Sequence, residues 1–496
     1  MDGMAGVDGV DLAALIETVI IVGDFVIKAV AVGVVPENRR PSSSSAWLLL
    51  ILFLPIVGLP LFLLLGSSRV NARRHRIQAE ANRELDDGLA HLPTVPPEAD
   101  LPASLVSIMT LNRQLTSLPC VPGSVEEVLT DYRPMMADIA AAVDGANRYV
   151  HVEMYIAAWD EVSEVVFAAL ARAHQRGVEV RLLVDHLGSR RYRGFGRMRR
   201  RLDDMGLDWH LMLPIDPLRR RWRRLDLRNH RKIIVIDGRT AYLGSLNLIG
   251  PHYRSARNAR IGREWRETAV RLSGPIVGPV ESVFAVDWYT ESGEELPAER
   301  YFETFEPQPI GGSCNALQVV PSGPGYPTQP NLRLFTSLIH HAQRELLIVS
   351  PYFVPDEAIL EAVTTAAHRD VRVELFVGEK ADQFMVQYAQ SSYYRVLLEA
   401  GVRIHRYPAP YVLHSKFLTL DDEVAVIGSS NMDLRSFNLN YEISLMGAGG
   451  DLPRRLREVA AAYREASSEL SLAEWEARPL YVRYLENVLR LTSALQ

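Results

Sequence analysis

One arrangement of residue types occurs twice in this 496-residue chain and could carry out chemistry on a phosphate ester. Each copy reads His-x-Lys, four residues, Asp, six residues, Gly-Ser-x-Asn, and the second begins 184 positions after the first. The copies comprise His230, Lys232, Asp237, Gly244, Ser245 and Asn247, and His414, Lys416, Asp421, Gly428, Ser429 and Asn431. Six residue types at identical spacing indicate two similar half-sites that meet to form one active centre.

Displacement at a phosphodiester needs a nucleophile, a proton for the leaving group and positive charge around the phosphoryl oxygens. Histidine titrates near neutral pH, so a pair of histidines supplies one nucleophile and one general acid. Lysines supply fixed charge and amides supply hydrogen-bond donors to the equatorial oxygens, which makes a metal unnecessary. We therefore expect no metal and no organic cofactor. The predicted catalytic residues are His230, Lys232, Asp237, His414, Lys416 and Asp421, and the predicted phosphate-binding residues are Asn247, Asn431, Ser245 and Ser429.

Each copy of the motif lies in a predicted β-hairpin. His230 and Lys232 precede an apolar run, a turn at Asp237 and a second short strand, and residues 414–427 repeat this order. Residues two apart in a strand face the same side, so the histidine and lysine of each copy should lie side by side. Asp237 and Asp421 fall at the turns, which predicts a structural role for both within the catalytic motif.

Strands and helices alternate in both halves of the chain. We predict strand, helix, strand at 149–156, 162–175 and 178–184, and again at 345–350, 357–367 and 371–377. This alternation predicts an α/β sandwich in each half. The Pro-rich stretch 91–102 is typical of a linker. The predicted domains are a membrane anchor at 1–75, a linker at 76–125, and two α/β domains at 126–311 and 312–496.

Two apolar segments near the N-terminus predict membrane attachment. Residues 47–66 are twenty residues without a charge, and a helix of that length covers about 30 Å, the thickness of a bilayer core. Residues 12–35 are also apolar but carry Glu17, Asp24 and Lys28. Charges inside a membrane span are costly, so a second span, an interfacial helix and one arm of a shallow hairpin are all open interpretations of this segment.

The arginines predict an orientation and an anionic partner. Residues 190–231 contain fourteen arginines against five aspartates and no glutamate, in a chain of net charge −6. This favours phospholipid headgroups or nucleic acid as partner, with a solvated basic face as the alternative. Arginines also flank the second apolar segment, with Arg39 and Arg40 before it and Arg69, Arg73, Arg74 and Arg76 after it. The positive-inside rule then places the large C-terminal part in the cytoplasm.

The doubled motif resembles that of the phospholipase D superfamily, and longer blocks narrow the resemblance to its bacterial cardiolipin synthases. The blocks are AWLLLILFLPIVGLPLFLLLG, RNHRKIIVIDGRTAYLGSLN, SGPG at 322–325, SPYFVPDE at 350–357 and HSKFLTLDDEVAVIGSSNMDLRSFNLNYE. The resemblance covers nearly the whole chain and implies two similar halves about a pseudo-twofold axis. Two departures are Gly244-Ser245, where many of these synthases have two glycines, and the unusual segment LIGPHYRSARN.

The resemblance also implies a reaction: one phosphatidylglycerol gives its phosphatidyl group to a histidine, releases glycerol, and a second phosphatidylglycerol accepts the group. We favour His230 as nucleophile and His414 as acid and base, with the reverse assignment open. By the same resemblance Glu267 orients His230 and Glu442 orients His414.

Other functions remain as alternatives to this synthase. A hydrolytic phospholipase D and an exchange enzyme with another alcohol acceptor use the same motifs. A nuclease is disfavoured by the apolar N-terminus, and a non-catalytic scaffold by the intact motif pair. We expect phosphatidylglycerol and other anionic phospholipids of a bacterial plasma membrane as partners, and no nucleic acid. The acceptor lipid, the acyl-chain preference and the oligomeric state are open.

Overall fold

The structure is a computed structural model that describes residues 12–37, 41–66, 72–215, 226–296 and 310–490. Its α-helices are α1 Leu12–Val34, α2 Pro41–Phe53, α3 Pro55–Leu61, α4 Ala72–Gly88, α5 Ala103–Thr116, α6 Tyr132–Asp144, α7 Glu164–Gln175, α8 His186–Arg190, α9 Phe195–Asp204, α10 Ala256–Arg260, α11 Val277–Ser292, α12 Pro330–His341, α13 Glu357–His368, α14 Phe384–Ser391, α15 Tyr394–Glu399, α16 Leu434–Asn438, α17 Leu452–Ala466, α18 Leu472–Glu476 and α19 Leu480–Arg490. Its strands are β1 Val121–Leu129, β2 Tyr149–Met154, β3 Glu179–Asp185, β4 Asp208–Met212, β5 Arg228–Asn229, β6 Lys232–Ile236, β7 Thr240–Gly244, β8 Trp265–Arg266, β9 Ala269–Ser273, β10 Cys314–Ser322, β11 Glu345–Val349, β12 Phe353–Val354, β13 Arg372–Gly378, β14 Arg403–Tyr407, β15 Val412–Leu413, β16 Phe417–Leu420, β17 Val424–Gly428, β18 Met432–Asp433, β19 Asn440–Ala448 and β20 Ser468–Leu470.

The predicted twenty-residue helix at 47–66 is divided into three pieces. Helix α2 ends at Phe53, Leu54 leaves the helical conformation, and α3 begins at Pro55. The break has a physical cause, since proline has no N–H to donate and its ring disfavours a helical residue before it. A short π-helix at Phe62–Gly66 completes the segment. The interruption at Pro55 agrees with the kink that the prolines of this segment predict, but it goes further and divides the predicted membrane helix.

Helix α1 is continuous over 23 residues and forms a small apolar cluster with α2 and the π-helix through Ala31, Ile51 and Phe62. Its charged residues include Asp24 and Lys28, which form an ion pair of 2.7 Å one turn apart. Within the residues that the structure describes, no helix is both long enough and apolar enough to cross a membrane.

The large unit, residues 73–223 and 227–496, is built on one sixteen-stranded sheet among the described residues. The strand order is β4-β3-β2-β6-β7-β9-β1-β10-β19-β17-β16-β11-β13-β14-β20, and β5 pairs with β19. From the antiparallel β1–β10 pair outward, both sides repeat one pattern. A strand (β9 or β19) is followed by an antiparallel hairpin and then by three parallel strands. This order confirms two repeated α/β halves.

Helices and strands confirm the predicted alternation, with ends shifted by up to two residues. Residues 76–125, predicted as a linker, instead contain most of α4, all of α5 and the start of β1. Helix α5 is part of the core, because Leu105 and Met109 are buried and Asn112 donates to Gln318 at 3.0 Å. The proposed boundary at residue 126 therefore falls inside a central strand.

Candidate active site

Two short parallel strand pairs join the halves and set the geometry of the site. Strand β5 pairs with the start of β19, so that the next residue, His230, lies beside Glu442. Strand β15 pairs with β8 in the same way, so that His414 lies beside Glu267. The backbone N–H of each histidine continues the ladder, and that of His230 donates to Tyr441 O at 2.8 Å. Each histidine is therefore placed next to the glutamate of the other half.

The His–Glu pairs are crossed between the halves. Nδ1 of His230 lies 3.0 Å from Glu442 Oε2, and Nδ1 of His414 lies 2.8 Å from Glu267 Oε2. Both glutamates orient histidines, but the predicted pairing of Glu267 with His230 and of Glu442 with His414 is wrong. The reason is the strand pairing, which follows the three-dimensional register and not the order of the motifs along the chain. Since Nδ1 faces a carboxylate in both rings, Nε2 is the ring nitrogen that remains for contact with a substrate.

The two lysines lie beside the histidines, as the hairpin predicted. Nζ of Lys416 donates to His414 O at 2.6 Å, and Nζ of Lys232 donates to His230 O. All four side chains are buried, with at most 9% of their surface exposed. Two lysines and two histidines in one buried site can supply positive charge to an anion such as a phosphate diester, against the charges of Glu267 and Glu442.

Burial and mutual repulsion lower the pKa values of these lysines and histidines. Burial lowers the pKa of Lys232 to about 7 against the attraction of Glu442, and that of Lys416 to about 8 against the attraction of Glu267. Burial, with the charges of Lys232, Lys416 and His414, lowers the pKa of His230 well below its usual value. The four groups therefore share one electrostatic environment, in which the arrival of an anion favours their charged forms.

The two His–Glu pairs differ in their electrostatics. Burial raises the pKa of Glu442 to about 7 in spite of Lys232. Burial also acts to raise the pKa of Glu267, but His414 and Lys416 outweigh it and that pKa lies below its usual value. Glu267 is thus ionised at neutral pH and acts to raise the pKa of His414, although burial outweighs this attraction and that pKa lies below its usual value. His230, whose partner carries less charge, is favoured as a neutral imidazole.

The motif aspartates have structural roles, as their positions at turns predicted. Asp237 accepts the backbone N–H groups of 147, 148 and 149 at 2.7–2.9 Å. Asp421 accepts those of 343, 344 and 345 over the same range. Both adopt positive φ, 55° and 53°, at the tip of their hairpins. They fix the start of β2 and of β11 against the hairpin and make no contact with the histidines, so their placement in the catalytic set is corrected.

Loss of either aspartate should lower stability. We expect Asp237→Ala or Asp421→Ala to lower the free energy of unfolding by about 2 to 3 kcal/mol, because three backbone donors lose a charged acceptor. Urea unfolding followed by tryptophan fluorescence measures this change. Asp422→Ala is the matched control, since Asp422 is exposed and paired only at the surface with Arg457, and its loss should cost less than about 1 kcal/mol. Equal effects at 421 and 422 would contradict the structural role.

The motif serines hold the strands that carry the glutamates. Ser245 Oγ accepts the N–H of Thr268 at 2.9 Å, and Ser429 Oγ accepts that of Ile443 at 3.0 Å and donates to Glu442. Both serines are fully buried. Their predicted role in phosphate binding is corrected to one in positioning the glutamates, because each hydroxyl is engaged with the strand that follows its motif.

Asn247 is likewise engaged within the protein. Its Oδ1 accepts the N–H of Ile156 at 3.1 Å, and its Nδ2 donates to Tyr253 Oη at 2.9 Å. Tyr253 Oη donates in turn to Glu267 Oε1 at 3.0 Å, so an Asn247–Tyr253–Glu267 chain supports the partner of His414. The Oδ1 atom of Asn431 is buried and has no hydrogen-bond partner among the described residues. The two asparagines thus differ, although their motif positions are the same.

Several residues of the site were not predicted from the sequence. Tyr253 lies in the segment LIGPHYRSARN, whose unusual sequence was the only signal for it. Tyr155 packs edge-on against His230 with ring centroids 4.8 Å apart. Arg231, next to His230 and almost fully buried, donates from Nε to Glu442 O at 3.0 Å and pairs with Asp287.

Part of the arginine-rich sequence is therefore internal. Arg231 pairs with Asp287, and Arg228 lies 3.3 Å from Asp185. Arg74 follows the second apolar segment in sequence. It is buried and pairs with Asp287 and Glu291. These residues stabilise the site region and contribute nothing to a basic surface. The cluster at 219–224 lies outside the described residues.

Comparison with known proteins shows the family. A site of two crossed His–Glu pairs and two lysines, on two repeated α/β halves, defines a phospholipase D-like protein. A family model described as "Cardiolipin synthase, PLD-like domain" matches residues 139–288 and 335–462, and one described as "Phospholipase_D-nuclease N-terminal" matches 25–67. The chain belongs to the cardiolipin synthase family of PLD-like proteins and is an enzyme of the phosphatidyltransferase class.

Relatives support this over most of the chain. It is 33% identical to the cardiolipin synthase of Geobacillus kaustophilus over 470 residues, which cover 92% of this chain and 90% of that protein. It is 32% identical to cardiolipin synthase A of Proteus mirabilis, with 92% and 94% covered. The crystal structure of phosphatidylserine synthase from Haemophilus influenzae shares the fold, with a TM-score of 0.57, 17% identity, and coverage of 79% of this chain and 100% of that one.

Proposed function

We propose that this enzyme is a cardiolipin synthase that transfers a phosphatidyl group from one phosphatidylglycerol to a second and releases glycerol. The observation that carries the proposal is the buried site with two histidine–carboxylate pairs, each of which joins a histidine of one half to a glutamate of the other. A single phosphodiester that enters this site can meet a nucleophile on one side and a proton donor on the other. The relatives named cardiolipin synthase support the choice of lipids.

In the first step Nε2 of neutral His230 attacks phosphorus. A phosphorus–nitrogen bond forms, the phosphorus–oxygen bond to glycerol breaks, and protonated His414 gives its proton to the departing oxygen. In the second step His414 takes the proton of a glycerol hydroxyl on another phosphatidylglycerol, whose oxygen displaces His230 from phosphorus. Lys232 and Lys416 stabilise the charge on the equatorial oxygens in both steps. The ionised Glu267 beside His414 supports this assignment of roles.

We also propose that the enzyme acts at the bacterial plasma membrane with its catalytic unit on the cytoplasmic side. Supporting this, α1 and α3 expose apolar side chains, for example Phe25 and Ile56, which are 71% and 89% exposed. Such surfaces suit contact with lipid. The two repeated halves would each contribute one motif to the shared site.

A defined-lipid assay tests the proposal. The full chain in vesicles of phosphatidylglycerol, with a chelator and without CTP, should convert two phosphatidylglycerol molecules into one cardiolipin and one glycerol. Phosphatidic acid in place of cardiolipin would show a hydrolase, and a mixed product with added alcohol-headgroup lipids would show an exchange enzyme. Absence of all three products from correctly folded protein would reject transphosphatidylation.

The lysines predict a distinctive pH dependence. Since the pKa of Lys232 is about 7 and that of Lys416 about 8, both lose charge as pH rises through that range, and kcat/KM should fall on the alkaline side from about pH 7. A bound phosphodiester anion stabilises the charged lysines and raises their pKa, so the alkaline limb of kcat should lie at higher pH. Initial rates measured from pH 5 to 10 give the pH profiles of kcat/KM and of kcat. If the two profiles fell at the same pH on the alkaline side, the role of the lysines would be contradicted.

A further inference from the structure

The C-terminal helix α19 has an unusual distribution of side chains. Leu480, Tyr481 and Tyr484 are 74–77% exposed, and Val488 is also exposed, which makes one apolar and aromatic stripe at helical spacing. The inward face contains instead the buried Glu486, which pairs with Arg478 at 2.9 Å. A helix that only covered a protein core would show the opposite arrangement.

A second helix extends this stripe. Helix α14 packs against α19 and exposes Phe384 and Met385 at its first turn, with Phe384 65% exposed. The ring of Phe384 contacts that of Tyr388, and the two ring centroids are 4.8 Å apart. We call the six exposed side chains the apolar rim: Phe384, Met385, Leu480, Tyr481, Tyr484 and Val488.

Helix α14, which carries two residues of the apolar rim, is linked to the second motif. Gln390 in α14 accepts the N–H of Phe353 at 2.9 Å, and Phe353 pairs with Met432, the residue after Asn431 of the second motif. Asp382, two residues before Phe384, accepts a hydrogen bond from Tyr352. The negative charge of Asp382 acts to raise the pKa of Lys416, whereas burial lowers it. The start of α14 therefore lies within electrostatic reach of the second motif.

Charge and residue type indicate what covers the rim. Helix α19 also carries Arg483, which donates to the backbone oxygen of Glu476, and Arg490, which stacks on Tyr393, while the carboxylate of Glu486 is already used by Arg478. Exposed tyrosines next to arginines are typical of surfaces that lie at the headgroup level of anionic membranes. A protein partner would not explain why α14 is linked to the second motif, whereas a lipid substrate does.

We propose that the apolar rim docks onto an anionic phospholipid bilayer and brings the entrance of the active site to the headgroups of the substrate. This rests on the proposed function, which supplies the lipid substrate. The rim is a membrane contact formed by the catalytic unit itself, separate in sequence from the N-terminal helices.

Lipid contact can be measured without catalysis. A fluorophore is attached to Tyr484→Cys in a Cys314→Ser background, with the buried Cys120 left in place, and the full chain is reconstituted in phosphatidylglycerol vesicles. Nitroxide groups at headgroup depth should quench it by about half or more, and aqueous iodide should quench it little. The matched control is Tyr289→Cys on α11, also exposed, where iodide should quench and nitroxide lipids should not.

Two other quenching results at position 484 would reject the proposal. Quenching at 484 by iodide alone means that the rim faces water. Quenching by neither reagent means that protein covers it, as in an interface between two copies of the chain.

Activity gives a second, independent readout. The variant Phe384→Ser/Tyr481→Ser/Tyr484→Ser should lose about tenfold or more in activity on phosphatidylglycerol in vesicles, and stay within about twofold of wild type on short-chain phosphatidylglycerol dispersed as monomers. Val165→Ser/Tyr289→Ser, also at exposed sites, should match wild type on both. Equal losses on both substrates would overturn the proposal. If wild type makes no cardiolipin from either substrate, the proposed function fails and the quenching result alone decides on the rim.

Discussion

Replacement of His230 or His414 by alanine should lower kcat for cardiolipin formation by about 10⁴-fold or more, because each removes a group that takes part in both chemical steps. The two losses should not add, since either removal already blocks the same sequence of steps, and the double variant should be no slower than the single ones. Cardiolipin formation from labelled phosphatidylglycerol measures the rates. His340→Ala, on α12 away from the motif, is the matched control and should leave the rate unchanged.

The two histidine variants should nevertheless differ with an activated donor. A phosphatidyl ester of p-nitrophenol releases an anion that needs no proton from the enzyme, so loss of a general acid matters little for its first step. His414→Ala should therefore still form the covalent intermediate from this donor, whereas His230→Ala should not. Identical behaviour of both variants would contradict the division of roles between the histidines.

The crossed pairing predicts opposite effects for the two glutamates. Glu442→Gln should slow formation of the covalent intermediate from the activated donor by about 10²-fold or more, because Glu442 orients the nucleophile His230. Glu267→Gln should leave that step close to wild type and slow transfer to the acceptor lipid, because Glu267 supports His414. Rapid-mixing measurement of p-nitrophenol release separates the two steps.

Pairing within each half would reverse this pattern. The slow first step would then belong to Glu267→Gln. Far-UV circular dichroism and the urea midpoint of both variants serve as controls, since both glutamates are fully buried and their replacement must leave the fold intact for the comparison to hold.

The sequence was sufficient for the parts of the site that depend on local structure. His230 and Lys232 lie together because they flank the start of one strand, and the turn at Asp237 follows from the hairpin. The repeat predicted a second half of the same design, and the strand order bears this out. The family resemblance rests on these same local blocks, which is why it was visible without a structure.

Features that depend on contacts distant in sequence could not be predicted. The crossed glutamates follow from two-residue strands, β5 with β19 and β8 with β15, which are too short to leave a periodic pattern. Arg74 and Arg231 looked like surface charge, and only the fold shows that Asp287 pairs with both. The prolines in the apolar run at 47–66 predict a kinked helix, but composition alone does not show that the chain leaves the helical conformation at Leu54.

The central claim is that one site, shared by both halves, uses His230 as nucleophile and His414 as acid and base. Its most direct test is the reaction of His414→Ala with the p-nitrophenyl donor, followed by peptide mass spectrometry. We expect a burst of one p-nitrophenol per active site and a phosphatidyl group on the peptide that contains His230. A burst from His230→Ala with the adduct at His414, or an adduct at neither histidine, would contradict it.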